Sequence, residues 1–129
     1  MSGSKAWRVV ACVVAIAACF SDLRLSASNL EIGPNPAVPG DVVVASVLLI
    51  VQPLQRHTII LTIDDVEHFR VTSTETPAIP YVITLGDATD LIATYGPGMH
   101  SARVEVRAEE ANEAARTQTA GFELREAAP

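Results

Sequence analysis

Past its first nineteen residues the chain contains no cysteine, no tryptophan and no lysine; Cys12, Cys19, Trp7 and Lys5 all lie near the N-terminus. A disulfide framework and a thiolate-ligated metal are therefore excluded for everything from Asn29 onward. Cations of any kind are few: nine Lys and Arg stand against fifteen Asp and Glu, for a formal net charge of −6. Such a chain lacks the clustered positive charge that a phosphate backbone demands, so nucleic acid is not an expected partner. Aromatics make up only 5% of the residues, so any core must be aliphatic. Nor does any apolar run approach the roughly eighteen residues of a membrane-spanning helix.

Catalytic and metal-binding patterns are missing as well. Ser46, Ser73 and Ser101 are present, but none sits in a Gly-x-Ser-x-Gly elbow. His57, His68 and His100 do not stand at metal-ligand spacing to one another. For His100 the expected role is a packed, hydrogen-bonded residue at a strand start. Asp64, Asp65 and Glu67, and likewise Asp87 and Asp90, sit around turns, but none forms the Asp-x-Asp-x-Asp-Gly loop of a calcium site. Asp64-Asp65 is expected for its turn preference. Alternation turns Tyr81 and Phe122 inward, which argues against a sugar-stacking platform. No catalytic residue, metal ligand or cofactor is expected.

What is present begins with a leader pattern. Residues 1–8 carry Lys5 and Arg8 and no acid, residues 9–20 are apolar, and residues 21–28 are short, polar and rich in small side chains. That is the three-part layout of a secretory signal. Two processing outcomes stay open. Ile16-Ala17-Ala18-Cys19 resembles a bacterial lipobox, which would end the leader at Ala18 and make Cys19 the lipidated first residue. Cleavage after Ala27 or Ser28 would instead release a free domain. The protein is expected to be extracytoplasmic, and to meet the membrane only through a lipid at Cys19 or before cleavage.

The rest reads as strands. Residues 98–107 are the most regular stretch: His100, Ala102, Val104 and Val106 share one face of an extended chain, and Ser101, Arg103, Glu105 and Arg107 the other. Residues 29–32 read as a short first strand, broken by Gly33-Pro34-Asn35-Pro36. Pro39-Gly40-Asp41 opens a long strand over residues 42–51, apolar on both faces apart from Ser46. Its outer face is expected to lie under loops, or else to dock a partner. Strands follow over 57–64, 67–72, 81–85 and 116–124, with a capped helical turn over 90–94. Turn signals every eight to twelve residues or so predict an all-β antiparallel sandwich of about seven strands rather than alternating strands and helices. The expected layout is a signal segment over 1–28, the sandwich over 29–125 and a frayed end over 126–129.

Three of these stretches carry a family likeness. The break at residues 33–36 before Pro39-Gly40-Asp41, the Ile63-Asp64-Asp65 hairpin and the strand from Gly98 to Val106 resemble bacterial immunoglobulin-like domains of the fibronectin type III and cell-adhesion-related kind. Unlike antibody domains, the chain has no inter-sheet cysteine pair and no core tryptophan. The resemblance implies a non-enzymatic module that binds a protein partner or gives structural support at the bacterial cell envelope. The alternative is an accessory domain binding calcium or carbohydrate.

Overall fold

The computed structural model describes residues 23–110, 112 and 114–127. The leader pattern and Cys19 fall outside them. Seven strands form two antiparallel sheets, so the expected all-β sandwich is what the chain adopts. The strands are β1 (Arg24–Gly33), β2 (Val42–Gln52), β3 (His57–Ile63), β4 (Val66–Ser73), β5 (Tyr81–Asp87), β6 (Gly98–Ala108) and β7 (Ala114–Leu124), with one helix, α1 (Ala88–Tyr95), between β5 and β6. One sheet has the order β1-β2-β5 and the other β4-β3-β6-β7.

The alternation read from β6 holds throughout its length. Ala102, Val104, Val106 and Ala108 are fully buried, and Ser101 and Arg103 face solvent. β6 is also the central support of its sheet, hydrogen-bonded to β3 on one flank and along its full length to β7 on the other. Its inner face meets Ile59, Leu61 and Ile63 of β3 and Phe122 and Leu124 of β7. The facing sheet contributes Val43, Ala45, Val47, Leu49 and Val51 of β2 with Ile83 and Leu85 of β5. Phe122 is the only fully buried aromatic among the described residues, so the core is aliphatic, as the composition requires.

The first strand departs from expectation. β1 starts at Arg24 rather than Asn29, and its opening residues pair with the end of β2: Leu25 with Val51, Ala27 with Leu49. The cause is a bulge between Ser28 and Glu31, where Asn29 takes φ 53°. An extra residue reverses the inward parity. Leu25 and Ala27 point in before the bulge, Leu30 and Ile32 after it. The period-two pattern therefore breaks at Asn29, and the half of the strand before it reads as an irregular, polar segment.

Two smaller differences concern α1 and β7. The helix runs for two turns rather than one, because Ala88 and Leu91 both bury against the core. Asp87 is its N-cap, its carboxylate accepting from the Thr89 backbone N–H at 2.8 Å. β7 begins at Ala114, two residues before the expected Arg116, because it pairs with β6 as far as Ala108.

The topology gives the molecule two distinct ends. One holds the start of β1, the end of β2, the start of β3 and the β6–β7 turn. The other holds the β3–β4 turn, α1, the start of β6 and the end of β7.

Candidate functional site

Three features could carry function, and the first, a polar cluster, is at the α1 end. It starts from the β3–β4 turn, where Asp64 and Asp65 have φ 50° and 66°, the two consecutive positive values of a tight hairpin. That geometry also aims the Asp64 carboxylate at β6. One oxygen accepts from the Ser101 backbone N–H at 2.9 Å, and the other lies 2.5 Å from His100 Nδ1. The Asp64 N–H returns a bond to the Ser101 carbonyl at 2.9 Å. The His100 bond, and then the Ser101 N–H, hold the Asp64 carboxyl below the usual carboxylate range.

His100 is 8% exposed, and its Nε2 lies 2.7 Å from the Gly96 carbonyl, so both ring nitrogens face acceptor oxygens. His68 of β4 stands on the other side of Tyr95. Its Nε2 donates to the Leu85 carbonyl of β5 at 2.7 Å, and its Nδ1 accepts from the Tyr95 hydroxyl at 2.8 Å. Burial, and after it the Asp64 charge, push the Tyr95 phenol above its usual range. The hydroxyl thus stays protonated and able to donate. Rings of His68, Tyr95, His100 and Phe122 follow one another at centroid distances of 5.7, 6.2 and 5.7 Å.

The fold therefore brings two of the three histidines to one tyrosine, and both are consumed in structural bonds. His68 ties β4, an edge of one sheet, to β5, an edge of the other, where no ladder joins them. His100 ties the α1–β6 turn to the β3–β4 turn. His57 lies at the opposite end, buried, with Nδ1 donating to the Gln55 carbonyl at 2.8 Å and Nε2 without a partner. Among the described residues no three His, Cys, Asp or Glu side chains converge as metal ligands.

Beside the turn, on the outer face of the four-stranded sheet, an open depression of about 330 Å³ is lined by Thr62, Asp64, Asp65, Ser101, Arg103 and Thr119. It is polar, and it has neither a buried base nor a nucleophile set against one. The hydroxyl of Ser101 lies on this outer face, whereas His100 turns inward along the same strand. The two neighbours in sequence therefore cannot work as a nucleophile and its base.

The third feature is apolar. On the outer face of the three-stranded sheet, Val42 of β2 and Val82 of β5 are each 55% exposed, and Val44 is half-buried between them. The expectation that loops cover this face fails at both ends of β2, since Val42 and Ile50 remain open. At the Ile50 end the reason is the shortness of β5, which pairs with β2 only from Val42 to Val47. Beyond that point a groove of about 290 Å³ runs between Leu49–Gln52 and the 76–79 segment, walled mainly by Ile50, Leu54, Pro77 and Ile79.

Sequence reading misses the His68–Tyr95–Leu85 bridge entirely. Nothing in the spacing of 17 and 27 residues marks it, because only the stacking of the two sheets brings those positions together. No protein-family model matches the chain, and no curated protein matches it in sequence.

Proposed function

We propose that the chain is an exported, non-enzymatic immunoglobulin-like module that binds or supports a protein partner at the bacterial cell envelope. The strand order supports the fold assignment. The first, second and fifth strands share one sheet and the third, sixth and seventh the other, as in immunoglobulin domains, with the fourth strand placed beside the third. The observation that carries the partner reading is the exposed apolar face around Val42, Val44 and Val82. Contiguous apolar surface of this kind marks interfaces. The polar cluster around Tyr95 supports a non-enzymatic role, because its histidines are spent in holding strand edges and turns together.

Of the two processing outcomes, the structure of β1 favours the upstream one. Cleavage after Ala27 or Ser28 would cut the strand before its bulge and uncover Val51 and Leu49 of β2. Maturation before Cys19 leaves β1 whole and adds a lipid anchor.

A photo-crosslinking side chain at Val82 tests the partner face in intact envelope. One dominant protein adduct is expected, and it should disappear when Val42→Glu is added. A Val82 probe that yields no adduct, while the protein is present and folded, removes this face as a partner site.

A further inference from the structure

We propose that the groove before the start of β5, lined by Ile50, Leu54, Pro77 and Ile79, rests on the lipid surface to which the chain is anchored. The inference relies on the lipid-anchored reading of Cys19 and adds to it a docking surface and an orientation. Its first support is the apolar character of the groove: Ile79 is 80% exposed and Leu54 49%, at a place where β2 has no strand on its β5 flank. Its second is where the chain enters. Arg24 pairs with Gln52, so the N-terminal segment meets the sandwich on one flank of β2 while the groove occupies the other. Two strand spacings of about 4.8 Å each separate them, roughly 10 Å in all.

The third support is the length of the connection. Only residues 20–23 stand between Cys19 and Arg24. The five residue steps from Cys19 to Arg24 span at most about 18 Å when fully extended. An acyl chain on Cys19 sits in the bilayer, so this end of the sandwich cannot move far from the headgroups. The exposed isoleucine and leucine then lie within reach of the interface, where apolar side chains gain by leaving water. A protein partner at the same groove would have to enter a gap narrower than the tether is long. The partner-binding face around Val42 lies toward the far end and stays free.

The test uses the full chain with Trp7→Phe and Cys12→Ser, coupled through Cys19 to a maleimide lipid. The vesicles are phosphatidylethanolamine and phosphatidylglycerol with brominated acyl chains. Coupling is chemical, so the geometry is tested whether or not a cell acylates Cys19; acylation itself is read separately, by fractionating a C19A variant. With the only native tryptophan removed, Ile79→Trp places a reporter in the groove, and Met99→Trp, at a site 70% exposed at the opposite end, is the reference. The I79W emission should shift to the blue and be quenched by the bromines at least twofold more than that of M99W. Leu54→Trp should behave like I79W and guards against a local effect of one substitution. Equal quenching at the two ends overturns the proposal. So does a blue shift of I79W in solution that grows with protein concentration, which would assign the groove to a second copy of the chain.

Discussion

Asp64 does two things with one side chain. Its backbone takes the positive φ that the hairpin needs, and its carboxylate joins that hairpin to Ser101 and His100. Asp64→Asn keeps the turn preference and loses the charge. Hydrogen bonds to charged groups contribute about 1.5–3 kcal/mol, and the half-open position of this carboxylate puts the loss near the lower figure. A lower urea midpoint with an unchanged slope is expected; an unchanged midpoint would show that the bond contributes nothing. The pH dependence follows from the direction of the shift. The folded-state value of Asp64 is depressed, so its contribution is complete above the ordinary carboxylate range and is lost as pH falls through the folded value. The D64N variant should lack this acid-side component of the stability profile. From sequence alone the turn preference already accounted for both aspartates, so nothing prompted a search for a partner 36 residues away.

At the scale of elements, β1 is the least predictable strand and the most consequential for maturation. A chain beginning at Asn29 loses Leu25, which is buried, together with the pairing to Val51 and Leu49. Burying one leucine contributes about 1.5–3 kcal/mol. A chain starting at Phe20 should therefore unfold at a clearly higher urea concentration than one starting at Asn29, and equal midpoints would mean that the strand begins at the bulge. Strands β2, β5 and β6 were legible because their alternation is unbroken over the buried stretch, whereas β3, which buries Ile59, Ile60 and Leu61 in succession, was marked by its apolar run. Pairing set the strand limits: β7 extends to Ala114 to meet Ala108. β1 was illegible ahead of its bulge because one asparagine with positive φ reverses the parity, and an alternation count takes that as the edge of the strand. The length of α1 was underestimated for another reason, since burial of Ala88 and Leu91 stabilises the second turn more than the local sequence does.

For the whole molecule, the proposed leader and the sandwich make one joint prediction. Cys19→Ala should move the protein out of the membrane fraction while leaving it folded, because the strands of the sandwich begin only at Arg24. Retention of C19A in the membrane fraction would sink the lipid-anchored reading. It would leave the partner face around Val42 and Val82 standing, since that rests on exposed surface and not on the tether. The aliphatic core, the seven strands and their division by turns could be read from the chain. The closure of the open side by His68 could not, because it belongs to the stacking of two sheets and not to any one of them.

The position of the two ends has a mechanical consequence. Arg24 enters at one end of the sandwich and Leu124 leaves at the other. A pull between them would load the β1–β2 and β6–β7 ladders along their strands. Hydrogen bonds sheared in that direction must give way together, whereas a ladder peeled from one end yields a bond at a time. The β6–β7 ladder, in register from Gly98–Leu124 to Ala108–Ala114, would share such a load along its whole length. Loaded in this way, the sandwich would yield only when a whole ladder gives, so its resistance to stretching would be set by β1–β2 and β6–β7.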